Sequence, residues 1–216
     1  MAPTPFPQPT DGTDAGLIRQ GPRRGDQRLV LLHGWGADAD DLLDLGALLV
    51  GPEVGVVALQ APLPHPAGIG RQWYDLQQPG WPQLPAARAD LQRRLLALDA
   101  EVPLSATVLL GFSQGAAMAL DVGTRGPGLP VAALVGCSGY PHPDWQPGAV
   151  QGPETSRILL THGELDPVVP VAASEDLRQR LSAGGHGVEL HLFPGGHTID
   201  SSLFETIRAF IRRAWT

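Results

Sequence analysis

Short, nearly unbroken apolar runs alternate along this chain with stretches of helical spacing. RLVLL (28–32), VGVVAL (54–59), ATVLLG (106–111), VAALVG (131–136), RILLTHG (157–163) and VELHLF (188–193) read as strands. None shows the apolar–polar alternation of a strand with one wet face, so helices are expected on both sides of the sheet. Between them, residues 40–50, 86–102, 116–125 and 173–184 repeat apolar positions three and four apart, and 201–215 does so at the end. Such spacing predicts helices with one buried stripe. Strand-then-helix order, repeated, requires right-handed crossovers and predicts an α/β fold with an open, mostly parallel sheet. Residues 1–14, rich in proline and polar residues, read as a flexible arm, and 15–216 as one domain.

One long segment, QAPLPHPAGIGRQWYDLQQPGWPQLP (60–85), has no periodicity. Loops of that length inside a compact domain are commonly functional, and this one carries Trp73, Tyr74 and Trp81. It leaves the carboxyl end of a predicted strand, where ligands bind in such sheets, so these three aromatics are candidate substrate-binding residues.

Composition narrows the function. The chain has 216 residues, 43% hydrophobic and only 17% charged, enough for one large core and too little charge for a disordered chain. A net charge of −7 disfavours nucleic acid and anionic lipid as partners, since both select a basic face. A single cysteine, Cys137, cannot form an internal disulfide, the N-terminus lacks the pattern of a secretory signal, and no apolar run is long enough for a bilayer span. A cytoplasmic protein without integral membrane association is expected, as a monomer or homodimer.

The chemistry begins at GFSQG, residues 111–115, which sits between a predicted strand and a predicted helix. That is the context of a nucleophile elbow, G-x-S-x-G. To raise its hydroxyl above the sheet, Ser113 must occupy a sharp strand-to-helix turn. Side chains two positions either side would collide with neighbouring elements, which is why Gly111 and Gly115 flank it. The following helix directs its N-terminal amides at the site, favouring negative charge there.

A serine hydroxyl needs a base. Of seven histidines, His197 lies in FPGGHTID, on a loop between the last strand and the last helix, with glycines that give the ring room. His191 and His33 read as structural, and His65, His142 and His186 as surface loop residues. The orienting acid is expected between serine and histidine in chain order. Asp166 in THGELDPVVP follows a strand end and is the first candidate; Glu164 competes, and Asp144 more weakly. A developing oxyanion requires two backbone donors: the amide after the nucleophile, Gln114, and one from the loop after an early strand, which HGWG places at Trp35. Cys137 has no elbow around it and reads as a small buried residue. The histidines show no metal-ligand spacing and HExxH is absent, so no metal is expected.

LHGWGAD, APLPHP with RQWYDL, GFSQGAAMAL, THGELDPVVP and FPGGHTI, in that order, resemble the phospholipase/carboxylesterase family of α/β-hydrolases, which includes acyl-protein thioesterases and small bacterial carboxylesterases. The resemblance implies a single-domain α/β-hydrolase fold without a large cap and without a cofactor. It also implies a Ser113–His197–Asp166 triad, with Trp35 and Gln114 as oxyanion donors. The activity it implies is cleavage of carboxylic esters with small or medium apolar acyl groups through an acyl-enzyme. Acyl thioesters and lysophospholipids are alternative substrates, and a non-catalytic ligand- or partner-binding protein on the same fold is a further alternative.

Overall fold

The computed structural model describes residues 16–150 and 157–216; the proline-rich arm read at 1–14 lies outside the described residues. The apolar runs form the parallel strands β2 (Arg28–Leu32), β3 (Gly55–Leu59), β6 (Thr107–Phe112), β7 (Ala133–Cys137), β8 (Arg157–Gly163) and β9 (Gly187–Phe193). With β1 (Leu17–Gln20) they make one seven-stranded sheet in the order β1-β3-β2-β6-β7-β8-β9, in which only β1 runs antiparallel. Strands β4 (Leu63–Pro64) and β5 (Arg71–Gln72) pair as a small antiparallel hairpin outside this sheet.

Burial on both faces explains the unbroken apolar runs. Val30, Leu32, Leu109, Leu134, Ile158 and Leu160 face one core, shared with α2 (Leu84–Leu98), α3 (Gln114–Thr124) and α4 (Ala172–Ala183). Leu29, Leu31, Val108, Leu110, Val135 and Leu159 face a second core, closed by α1 (Leu43–Val50) and α5 (Phe204–Ala214). Each strand therefore contributes neighbouring side chains to opposite layers. No helix among the described residues is long and apolar enough to cross a membrane.

The expected helix at 86–102 instead spans Leu84–Leu98. The turn after it is held from the side: the buried Arg28 guanidinium donates to the carbonyls of Leu98, the last helical residue, and Val102, both at 2.8 Å, and to Thr107 Oγ1. Burial pushes the Arg28 pKa down to about 10. The final stretch opens with a 3-10 turn, Ser201–Leu203, because the Asp200 carboxylate accepts the Ser202 N–H at 2.9 Å.

The strand order places the site. The chain moves outward from β2 to β3, then returns to β6 on the other side of β2. The β2 and β6 carboxyl ends thus flank the point where winding reverses, the crevice where open α/β sheets bind ligands. HGWG leaves one of these strands and GFSQG the other.

Helix α3 is buried along its whole length and carries one ionised group, Asp121. Asp121 accepts from His142 Nδ1 (2.5 Å), Arg125 Nε (2.6 Å) and Arg88 Nη1 (3.2 Å). Burial opposes the charge, but the His142 and Arg125 hydrogen bonds outweigh it and hold the carboxyl well below the usual carboxylate range. A depressed carboxyl pKa stabilises the fold above the unfolded-state value, and that contribution is lost as pH falls from about 4 toward the folded value. Asp121→Ala leaves the buried His142 Nδ1 without its acceptor, and Arg88 and Arg125 with the surface carboxylate of Asp144, and is expected to cost about 1–3 kcal/mol near pH 7, read by urea unfolding. The gap to the parent should narrow below pH 4; an unchanged gap there would refute the assignment.

Candidate active site

The backbone at Ser113 is strained. Its φ is +53° and ψ −118°, a region that residues other than glycine rarely occupy. The conformation is enforced from both sides. A Cβ on Gly111 would lie 2.4 Å from the Gly115 carbonyl oxygen, and one on Gly115 only 2.1 Å from that of Leu32. The Ser113 N–H donates to the Cys137 carbonyl at 2.8 Å, fastening the turn to β7. The two flanking glycines are required by contact with backbone, which cannot give way.

Two loops bring partners to the hydroxyl. Ser113 Oγ lies 2.9 Å from His197 Nε2, and His197 Nδ1 lies 2.6 Å from Asp166 Oδ2. The carboxylate only accepts, so Nδ1 carries the proton and Nε2 is left to accept the serine O–H. Phe112 packs its ring 4.8 Å from the imidazole. The acid loop and the histidine loop are joined by the Leu165 N–H on the Gly195 carbonyl, 2.9 Å. A Cβ at Gly163 would meet the Gly196 and Gly195 carbonyl oxygens at 2.3 and 2.4 Å, so this close approach also demands glycine.

Asp166 is shielded from solvent and well supplied with donors. Its Oδ1 accepts the N–H groups of Val168 (2.8 Å) and Val169 (2.9 Å). Burial penalises the charge, but the hydrogen bonds from His197, Val169 and Val168 prevail and hold its pKa below the ordinary value. Its rivals point elsewhere: Glu164 is exposed, and Asp144 pairs with Arg88 and Arg125 at the surface. His162, buried on β8, stands behind the acid, with Nε2 2.8 Å from the Val169 carbonyl and 3.3 Å from Asp166 Oδ2. Its Nδ1 accepts from Ser174 Oγ at 2.7 Å. No sequence pattern singled out His162, because its partners lie on the following loop and on α4.

Gln114 opens α3, so its N–H is one that the helix leaves without an internal partner. The HGWG turn adjoins the serine: a Cβ on Gly34 would lie 3.5 Å from Ser113 Cβ. His33, expected to be structural, is buried beneath this turn. Its Nδ1–H meets the Gly34 carbonyl at 2.8 Å, and its Nε2 accepts the Ala61 N–H at 3.0 Å. Burial lowers its pKa, which keeps the ring neutral in this arrangement.

Three expectations need correction. Trp73 and Tyr74, read as substrate-binding, are both 0% exposed and belong to the core. The Trp73 indole donates to the His33 carbonyl (3.0 Å), and the Tyr74 hydroxyl lies between His142 Nε2 (2.9 Å) and the Tyr140 hydroxyl (2.7 Å). These rings bear on the scaffold and offer a substrate no surface. Trp81 is half-buried against Tyr74, 5.2 Å between ring centroids, and keeps some exposure. His142 and His186, read as surface residues, are buried; the partners that draw them in, Asp121 and the Gly148 carbonyl, are remote in sequence. His191, read as structural, sits half-exposed on the edge strand β9.

Cys137 is buried and its thiol is pushed up to about 11, the state of an inert packing residue. Among the described residues, no three His, Cys, Asp or Glu side chains are grouped so as to hold a metal ion.

Comparison with known proteins agrees with this architecture. The family model described as Phospholipase/Carboxylesterase matches residues 15–215. The esterase YpfH of Escherichia coli is 29% identical over 206 residues, spanning 86% of this chain and 82% of its own. The crystal structure of esterase PE8 superposes with a TM-score of 0.77 at 32% identity, covering 92% of this chain and 98% of that one. The Bacillus cereus carboxylesterase shares the fold, with a TM-score of 0.79 at 22% identity over 92% of this chain and 93% of its own. The chain belongs to the phospholipase/carboxylesterase family, and its fold is a single-domain α/β-hydrolase.

Gly115→Ala is the direct test of the elbow geometry. With its methyl driven against the Leu32 carbonyl, the variant should lose about 1–3 kcal/mol of stability. The displaced turn should also cost ester turnover. A variant with parental melting temperature and rate would show that the turn has slack.

Proposed function

We propose that this member of the phospholipase/carboxylesterase family cleaves carboxylic esters through an acyl-enzyme on Ser113. One observation carries the reading: an unbroken hydrogen-bonded line from Ser113 Oγ through His197 to the solvent-shielded Asp166 carboxylate. Ser113 attacks the acyl carbon as His197 Nε2 takes its proton. Asp166 stays ionised throughout, holding the ring in the required tautomer and stabilising the imidazolium. The carbonyl oxygen, now negative, faces the amides of Trp35 and Gln114; each such donor is worth about 2.7–4 kcal/mol to a transition state.

Collapse of the tetrahedral adduct breaks the ester C–O bond, and His197 returns its proton to the departing alkoxide. Water, deprotonated by the same imidazole, then releases the carboxylic acid and restores the serine. The protein supplies every group this sequence needs.

The acyl group is apolar and the substrate a small molecule. Supporting this are exposed apolar side chains on loops at the same end of the sheet: Ile69 in the hairpin turn, and Leu165 and Val168 beside Asp166, all more than 60% exposed. Trp35 adds a partly exposed indole on the turn after β2.

Ser113→Ala should abolish p-nitrophenyl ester hydrolysis and labelling by a fluorophosphonate probe; full turnover by that variant would defeat the proposal. Asp166→Asn should retain labelling at a slower rate and lose about 10⁴-fold in kcat. Binding of ligand with no probe reaction in the parent would instead support the non-catalytic reading. A graded series of acyl esters and thioesters separates esterase from thioesterase by the ratio of kcat/KM at matched acyl length.

A further inference from the structure

Trp73 and Tyr74 of the segment 60–85 lie in the core, yet the segment is bound to the site at several points. Gln72, in β5, is 4% exposed, and both ends of its side-chain amide are used. Its Nε2 donates to the Pro64 carbonyl at 3.0 Å, and its Oε1 accepts the indole N–H of Trp35 at 2.8 Å. The adjoining backbone repeats the connection: the Gly36 N–H donates to the Arg71 carbonyl (2.9 Å) and the Arg71 N–H to that of Ala37 (2.7 Å). The hairpin thus extends its ladder onto the HGWG turn. Contact is close enough that a Cβ on Gly70 would lie 1.9 Å from the Gly36 carbonyl oxygen.

The Trp35 indole stands 36% exposed. His65, at the other end of the hairpin, meets it edge-on with ring centroids 4.1 Å apart. Gln72 is the hydrogen-bond partner of its N–H. The indole and the amide of Trp35 belong to one residue, so a side chain fixed at its tip restricts rotation of the peptide that carries the amide. An oxyanion donor acts only when aimed in advance at the place where charge develops.

We infer that Gln72 is a positioning residue for the oxyanion: by holding the Trp35 indole, it sets the direction of the Trp35 amide. This inference rests on the acyl-enzyme reading above. Gln72 touches neither substrate nor reacting atoms. It acts on the tetrahedral adduct through Trp35, and its loss should weaken binding of that adduct far more than binding of the ester.

The test combines Gln72→Leu, Trp35→Phe and the double variant, with Arg28→Met as a destabilised control at the opposite end of β2. Rates are expressed per site labelled to completion by a fluorophosphonate, so unfolded protein does not count. Each single variant should lose about 10- to 100-fold in kcat, with KM within about threefold, because a displaced donor is worth less than the 10²–10³ of one removed. The double variant should be no slower than the worse single, since the two substitutions break one link. Inhibition by an alkylboronic acid, which forms a tetrahedral adduct on the serine, should weaken by the factor that kcat/KM loses. Arg28→Met should lower the melting temperature and leave kcat per labelled site unchanged.

The inference is overturned by kcat per labelled site within twofold of the parent in both single variants. Additive losses in the double variant, or an equal loss in Arg28→Met, overturn it as well. If Gln72→Leu does not fold, Trp35→Phe on its own decides the matter, because the position is partly exposed and keeps an aromatic ring while losing the indole N–H. Retained turnover in Ser113→Ala is a different failure, that of the parent reading, and is recognised before any Gln72 variant is measured.

Discussion

The site is organised around a peptide backbone held where it would not rest by itself. A non-glycine residue at φ +53° costs of order 1–3 kcal/mol and persists only if its surroundings over-determine it. Here a hydrogen bond from Ser113 to β7 and the close approach of Gly111 and Gly115 to neighbouring backbone do so. The small residues of α3 let that helix sink fully into the interior, drawing the turn tight. The position of the hydroxyl, the direction of the Gln114 amide and the distance to His197 all follow from this one turn. The strain is sustained by packing throughout the α3 layer of the core.

Around this turn the protein relies on side-chain amides as rivets. Gln114 does so as well as Gln72: its Oε1 accepts the Trp73 N–H (2.9 Å) and its Nε2 donates to the Tyr74 carbonyl (2.8 Å). The long segment after β3 is thereby attached to the first residue of α3. Both amides are buried with donor and acceptor ends satisfied, the condition under which a polar group stiffens an interior instead of destabilising it. Trp73 and Tyr74 turn inward, where their apolar surface is buried and the indole N–H and the phenol hydroxyl find hydrogen-bond partners.

The histidines show how partners decide roles. His33 and His162 each set one ring nitrogen against a backbone carbonyl, and so brace the HGWG turn and the Asp166 loop from below. His142 links Asp121 to the Tyr74 hydroxyl and through it to Tyr140, a line resembling Asp166–His197–Ser113 in its order of groups. His142 meets a phenol held inside the core, whereas His197 meets a strained serine at the crevice. What distinguishes the two rings is the group opposite Nε2.

The chain order alone determined a great deal. Unbroken apolar runs between helical stretches dictate a sheet covered on both faces, and six of the strands lie within a residue or two of where those runs place them. The glycine spacing around Ser113, and the loops carrying His197 and Asp166 at strand ends, likewise follow from local rules of turn chemistry and chain direction. What periodicity missed is short or peripheral: β1 is a four-residue edge strand, and β4 and β5 have two residues each, too few to show a period. Only the tertiary structure decided that Trp73 and Tyr74 are interior, that Asp121 and His142 form a buried pair, and that Gln72 reaches Trp35. Each of these depends on contacts between residues more than twenty positions apart, and a side chain's burial and partner are set by what packs against it, information that no local window of sequence contains.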